Sequence, residues 1–484
     1  MKSLILILFS FVFTFLSYCQ SFVGDWEGTL KANQRSIDIV FHIKSDSKGA
    51  YSAFLDVPVQ RAFNVAASDV VVEGDSIIII IKAVSLRFVG MLRDNKNMIG
   101  NWKQAGMTIQ VPLKRIGDGT NQKTFKRLQT PQPPFPYKSE EVEFDNKDKS
   151  IHFGATLTIP STGGRMNEAG KTVYPVGILI TGSGKQDRDE TMFEHKPFAI
   201  IADYLTKKGI AVLRMDDREM GKSTGDFMSS TTFDFAKDIE AGIDYLKGRQ
   251  EVDIRNIGLL GHSEGGLIAP ILASKRDDIK FIVLMAAPGL KFTEIMEQQN
   301  VNVLVSQGIS QKIIEDMKPM LRDLVNTIIT APDTSIARIN GIKIFNAWQE
   351  NQSRTVVKNA TGVTDEASMN NYIKKMVFNL NVPWNATIMK IDPSIYLGAL
   401  KCSVLAINGE KDIQVDAKTN LAEIEKYLKQ SSSKDIEVKS FKGLNHLFQH
   451  CKKCTFDEYS DIEETIAPEV LELLGNWISE RVKR

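Results

Sequence analysis

Apolar residues take every second position in Ser36-Ile37-Asp38-Ile39-Val40-Phe41 and in Thr108-Ile109-Gln110-Val111-Pro112-Leu113, and Ser76–Ile81 is an isoleucine run. Period two is the signature of strands with one buried face. Turn-forming clusters separate them at Asp46-Ser47-Lys48-Gly49, Glu73-Gly74-Asp75 and Arg93-Asp94-Asn95-Lys96. The pattern predicts a small antiparallel β domain, a barrel or sandwich, over about residues 20–118. Gly24-Asp25-Trp26-Glu27-Gly28 and Gly100-Asn101-Trp102-Lys103 echo one another near its two ends, and both tryptophans are expected in the core.

A polar stretch ending in Thr130-Pro131-Gln132-Pro133-Pro134-Phe135-Pro136 follows, and residues 119–137 read as a stiff, extended spacer. Beyond it the pattern changes. Short apolar runs at Val176–Ile180, Ile210–Arg214, Ile257–Leu260, Phe281–Met285 and Val404–Ile407 are bounded by Gly, Asp or Asn and separated by helical stretches. Strands alternating with helices predict an α/β architecture, a doubly wound and mostly parallel sheet, over residues 138–484. About residues 290–400 interrupt it with a long helical pattern and no strand-like run.

The candidate chemistry starts where a buried strand meets a helix. Asn256–Leu260 reads as a strand, Gly266–Ala273 as a packed helix, and Gly261-His262-Ser263-Glu264-Gly265 joins them. G-x-S-x-G in that context is a nucleophile elbow, a turn so tight that the serine stands in strained backbone above the sheet. A second match, Gly221-Lys222-Ser223-Thr224-Gly225, is followed by the polar loop Asp226–Thr232 where a helix should start, and it reads as a surface loop. It is no phosphate loop either, because Asp216 stands where the first glycine would be.

A serine nucleophile needs a base and an orienting acid, and in chains that carry an elbow of this kind they follow it in the order acid, histidine. Of the six histidines, His42, His152 and His195 precede the elbow and His262 is its variable position. His446 lies on a loop just past the alternating strand Ile436–Phe441, and His450 is the weaker alternative. The acid belongs on the turn after Ser403–Asn408, where Glu410, Asp412 and Asp416 lie. Asp412 has the best offset, and Glu410 is second. The expected triad is Ser263, Asp412 and His446.

From about Glu140 onward the chain resembles the α/β-hydrolase superfamily, more narrowly bacterial esterases and acyl hydrolases of the dienelactone-hydrolase-like and serine-aminopeptidase-like groups. The resemblance is carried by Thr181–Asp189, Leu213–Arg218, the elbow, Asn408–Asp412 and Leu444–Gln449. Two motifs depart from the usual form: Thr181 replaces a histidine, and the loop after the next strand reads Asp216-Asp217-Arg218-Glu219. The resemblance implies an oxyanion hole from the backbone N–H groups of Ser183 and Glu264. It also implies that the helical insertion is a lid, whose Met296, Met317, Met320, Ile344, Phe345, Met369, Met376, Phe378 and Trp384 suit an adaptable apolar cover. Asp187–Glu190 either contacts substrate or holds the shape of the preceding loop. The implied activity is cleavage of carboxylic esters through an acyl-enzyme; a peptidase on short peptides, and a glycan- or envelope-binding protein with an inert hydrolase half, are the alternatives.

Composition bounds the setting. The net charge of +1 points to no nucleic-acid or anionic-membrane partner. Met1-Lys2, an apolar run from Leu4 to Leu16 and small residues at Ser17 and Cys19 read as a signal peptide over residues 1–19, so export is expected, with no membrane span once it is removed. Cys402, Cys451 and Cys454 then remain; Cys451-Lys452-Lys453-Cys454 lacks the further ligands that zinc requires and reads as a local disulfide or two free thiols. No metal or cofactor is implied.

Overall fold

The computed structural model describes residues 21–32, 35–46, 49–57, 62–104, 107–116, 127–306 and 309–482. The signal-peptide segment lies outside the described residues. The chain divides into two compact units, residues 1–124 and 125–484.

The first unit is an antiparallel meander of β1 (Gly24–Ala32), β2 (Arg35–Ser45), β3 (Tyr51–Val57), β4 (Ala62–Ala66), β5 (Asp69–Glu73), β6 (Ser76–Ile81), β7 (Leu86–Asp94), β8 (Asn97–Gln104) and β9 (Met107–Arg115). Their order is β4-β3-β2-β1-β9-β8-β7-β6-β5, so the first and last strands pair at the centre. The sheet curls into a half-barrel whose edge regions β3 and β5 approach one another. Alternation does the sorting: every second residue of β6 is buried, and the buried face gathers Trp26, Phe41, Phe88 and Trp102. Phe41 and Phe88 pack as a tilted pair with ring centroids 4.7 Å apart, so this interior is packed with side chains.

The second unit has a sheet in the order β10-β11-β14-β13-β15-β16-β17-β18. The edge hairpin β10 (Lys138–Asp145) and β11 (His152–Ile159) is antiparallel, and the short β12 (Arg165–Met166) pairs with β13 (Thr172–Ile180). From β14 (Ala211–Met215) through β13, β15 (Val252–His262), β16 (Ile279–Met285), β17 (Ser403–Gly409) and β18 (Ile436–Phe441) every pairing is parallel. The inner strands β13, β14, β16 and β17 are buried on both faces and read as mainly apolar runs, as a parallel sheet covered by helices requires, whereas the edge strand β18 is only partly buried.

Helices α1 (Pro197–Lys207) and α12 (Pro468–Val482) pack on one face; α2 (Thr232–Lys247), α3 (Gly265–Ala273) and α11 (Ala417–Leu428) pack on the other. Local signals set their ends. Pro197 opens α1, and Thr231 with Asp234 forms a capping box on α2.

Between β16 and β17 lies the helical insertion: α4 (Phe292–Ser306), α5 (Gln311–Thr330), α6 (Thr334–Gln349), α7 (Arg354–Thr361), α8 (Glu366–Leu380), α9 (Pro383–Ile388) and α10 (Pro393–Leu397). Asp333, Ser353 and Asp365 cap α6, α7 and α8 with their side chains. Most of the insertion's apolar residues build its own core, with Met317, Met320, Phe345 and Met369 buried. Phe378 faces solvent, 72% exposed.

The proline-rich stretch is not a free spacer over its described part. The Arg127 guanidinium donates to the carbonyl oxygens of Phe193, Ser460 and Ile462, and Gln129 bonds Thr465 and Ile466. Residues 127–137 are therefore held to the rest of the second unit by Arg127 and Gln129 before the prolines and by Tyr137 after them, whose hydroxyl donates to Asp203 at 2.9 Å.

Candidate active site

Ser263 stands at the carboxyl end of β15, between strand and helix, with φ of 52°. A non-glycine residue reaches that left-handed region only where the surrounding structure enforces it, at a cost of roughly 1–3 kcal/mol. The flanking glycines are obligatory. A Cβ on Gly261 would lie 2.0 Å from the Gly265 carbonyl oxygen, and one on Gly265 would lie 2.2 Å from that of Ile180. The Ser263 N–H donates to the Met285 carbonyl oxygen of β16 at 2.8 Å, which pins the turn to the sheet. Within the elbow only Ser263 keeps partial exposure; its neighbours are buried.

His446 and Asp412 lie together on the loops after β18 and β17, with Nδ1 of His446 2.7 Å from Oδ2 of Asp412. They are 3% and 5% exposed. Asp412 is itself held, since its Oδ1 accepts the N–H groups of Gln414 at 2.7 Å and Val415 at 2.9 Å, leaving Oδ2 for the imidazole. Asn445 organises the histidine loop by accepting the N–H groups of Leu447 and Gln449. The Lys411 N–H donates to the Leu444 carbonyl oxygen at 2.9 Å, lacing the two loops.

The competing residues go elsewhere. Glu410 is exposed, and Asp416 caps α11 by accepting from Thr419. His450 pairs with Glu464 and Glu469 at the surface. Ser223 departs from the surface-loop expectation: it is buried, accepts from the Gly154 N–H at 3.0 Å and donates to the Asp216 carbonyl oxygen at 2.9 Å. Its hydroxyl ties a loop to β11.

Gly182 is packed over the elbow so closely that a Cβ there would lie 3.2 Å from Cβ of Ser263. Its N–H is spent on Glu190, at 2.7 Å. Among the described residues the N–H groups of Ser183 and Glu264 have no hydrogen-bond acceptor in the protein. Thr181, standing where a histidine is usual, donates to Asp217 at 2.8 Å. Burial pushes the Asp217 carboxyl well above its ordinary range. The Asp187–Glu190 segment braces this loop: Arg188 forks onto Asp216, Asp187 accepts from Thr191, and Asp189 pairs with Arg214.

Two features escape sequence reasoning. The Glu264 side chain is buried and its Oε1 accepts both the Trp384 indole N–H at 2.8 Å and the Thr232 hydroxyl at 2.7 Å. Trp384 lies on α9, so the insertion is hydrogen-bonded to the residue beside Ser263. Burial pushes the Glu264 carboxyl up to about 7 against the opposing effect of these two donors. The second feature is the ring of His262, which faces Glu190 on one side and the His446 backbone on the other. A cavity lined by Gly182, Gly184, Asp217, Phe227, Phe235 and Glu264 lies beside the elbow.

Cys451 and Cys454 form a disulfide. Their sulfurs lie near a carboxylate oxygen of Glu458, but a disulfide sulfur is not a thiolate ligand, and Glu458 accepts the N–H groups of Lys452, Lys453 and Cys454 instead. Buried His195, held down at about 4 by desolvation, bonds Thr465 and the Tyr459 carbonyl and joins the core framework.

A parallel sheet wound on both faces, a strained serine elbow at its carboxyl edge and a histidine–carboxylate pair on the adjoining loops define an α/β hydrolase. The sequence model of the family described as "Serine aminopeptidase, S33" matches residues 194–450, more than half of the chain, and the protein belongs to that family. Esterase EstD of Thermotoga maritima is 28% identical over 194 residues, 40% of this chain and 44% of that protein, so the match spans less than half of this relative. Among solved structures, the Pyrococcus furiosus esterase Pf2001 is similar at 16% identity and TM-score 0.41, over 72% of this chain and 91% of that one. Est1E from Butyrivibrio proteoclasticus with bound ferulic acid is similar at 16% identity and TM-score 0.38, over 71% of this chain and 100% of that one.

Proposed function

We propose that this protein is an exported serine hydrolase that cleaves carboxylic esters through an acyl-enzyme. The observation that carries the reading is the buried Asp412–His446 pair at the same sheet edge as Ser263 in its strained turn. Ser263 Oγ attacks the ester carbonyl carbon while Nε2 of His446 takes its proton. The tetrahedral oxyanion is met by the N–H groups of Ser183 and Glu264, at the start of α3 where the helix dipole also favours negative charge. The intermediate collapses, the C–O bond breaks, and the alcohol leaves with the proton from His446. Water then repeats the sequence on the acyl-enzyme and releases the acid. Asp412 keeps Nδ1 protonated and stabilises the imidazolium.

The esterase relative supports an ester substrate. The apolar run of residues 4–16, together with the Cys451–Cys454 disulfide, supports export to an oxidising compartment. The description of the family favours a second reading, a peptidase that uses the same three residues. The insertion, tied to the elbow through Trp384, acts as a lid over the site in either case.

Hydrolysis of short-chain p-nitrophenyl esters, set beside aminoacyl and dipeptidyl anilides, separates the two. Ester turnover that disappears in Ser263→Ala supports the proposal. Faster turnover of the anilides transfers the site to the peptidase reading, and ester turnover that survives Ser263→Ala removes the mechanism.

A further inference from the structure

One carboxylate oxygen joins three parts of the candidate site. Glu190 is 5% exposed and lies on the loop after β13 with φ of 52°. A glutamate adopts that left-handed backbone only when tertiary contacts demand it. Its Oε1 accepts the Gly182 N–H at 2.7 Å and faces Nδ1 of His262 at 2.9 Å. On the far side of the ring, Nε2 of His262 lies 3.1 Å from the backbone carbonyl oxygen of His446. The connection runs from the loop carrying Ser183, through the elbow, to the peptide of the histidine beside Asp412.

The proton positions follow from the partners. A carbonyl oxygen only accepts, so Nε2 of His262 carries a hydrogen. Nδ1 faces a carboxyl oxygen that already receives a peptide N–H, so the proton of that pair lies between Nδ1 and Oε1. Burial lowers the His262 pKa, but the Glu190 charge and hydrogen bond more than offset it and hold the ring above its ordinary value. His262 of the elbow thus forms, with Glu190, a second and buried histidine–carboxylate couple at the site, its ring centroid 4.8 Å from that of His446.

We propose that Glu190 is a positioning residue that acts through His262 to set the oxyanion loop and the backbone of His446 together. The inference rests on the roles given above to Ser263 and His446. An amide at position 190 can keep two of the three bonds but not all of them. With its oxygen toward Gly182 and a neutral ring protonated at Nδ1, the bare Nε2 points at the His446 carbonyl oxygen. With the ring protonated at Nε2, either Gly182 or Nδ1 loses its partner. All three survive only if an unpaired imidazolium stays buried, which is costly. The groups that must align in the transition state therefore shift while the surface that binds substrate does not.

The test is steady-state kinetics of the full chain on p-nitrophenyl acetate for wild type, Glu190→Gln, His262→Asn, the double variant and Ser263→Ala. Glu190→Gln is expected to lose roughly tenfold to a hundredfold in kcat with KM changed by less than about threefold, the scale on which misalignment acts. His262→Asn should show the same split and carries the test if Glu190→Gln does not fold. The double variant should be no slower than the slower single one, because both break one connection. Wild-type kcat in Glu190→Gln, a loss confined to KM, or losses that multiply in the double variant would each overturn the proposal. Ser263→Ala tells the two readings apart. Activity in that variant removes the nucleophile assignment itself; an inactive Ser263→Ala beside an unimpaired Glu190→Gln removes only the positioning role.

Discussion

Replacing Glu264 by glutamine should make the second unit less sensitive to pH, and the size of the effect can be worked out. The Glu264 carboxyl is buried beside Ser263 and is pushed from its ordinary 4.5 up to about 7, burial being the main cause. A carboxyl whose folded pKa is raised binds its proton more tightly folded than unfolded. Its neutral form contributes stability that is fully present below about pH 4.5 and is lost as pH rises toward 7. At 1.36 kcal/mol per unit, that contribution is about 3 kcal/mol. Glutamine keeps an oxygen that can accept from Trp384 and Thr232 and never ionises. The two proteins should be equally stable near pH 4.5, and Glu264→Gln more stable by about 3 kcal/mol at pH 8. Urea unfolding across that range, followed by tryptophan fluorescence, measures the difference. Trp348, Trp384 and Trp477 report on the second unit, and the contribution of Trp26 and Trp102 from the first is common to both proteins. A difference that is flat with pH, or that favours wild type above pH 7, would refute the reasoning.

Three further outcomes are expected. Asp412→Asn should lower kcat by roughly 10³–10⁴, because the amide favours the wrong tautomer of His446; Glu410→Gln should leave the rate unchanged, and ester kinetics on the pair checks the assignment. His450→Ala should retain its activity, whereas His446→Ala should fall to the level of Ser263→Ala, since residues acting as a unit do not add. A chain starting at Phe125 should be more stable than one starting at Tyr137. The shorter one loses the bonds from Arg127 and Gln129 to the second unit, together about 3 kcal/mol at the usual worth of such bonds, which urea midpoints would register.

Residue patterns expose what is local. β18 spans Ile436–Phe441 as its alternation indicates, and the inner parallel strands coincide with apolar runs because both of their faces are buried. The elbow is legible because steric closure at Gly261 and Gly265 leaves a fixed spacing in the chain. Asp412 stands out from Glu410 by its offset alone, and the structure turns Asp412 toward His446 and Glu410 toward solvent.

Long-range pairing is not legible in this way. Glu190 and His262 are 72 positions apart and Trp384 and Glu264 are 120 apart, and nothing in either local pattern announces a partner. The charged run Asp187–Glu190 does show in the sequence, but only the fold distributes its members among Thr191, Asp216, Arg214 and Gly182. The prolines at 131–136 suggest a spacer, and the attachment uses Arg127, Gln129 and Tyr137, whose partners far along the chain leave no trace in the sequence.

The most direct test of the account is the site of covalent capture. A fluorophosphonate ester reacts only with a serine whose proton is withdrawn by a neighbouring base and whose developing oxyanion is stabilised. Incubated with the full chain and mapped by peptide mass spectrometry, it should modify Ser263, with labelling lost in His446→Ala and Ser223 left untouched. Modification of another residue, or ester hydrolysis that continues after Ser263 is fully labelled, would contradict the account.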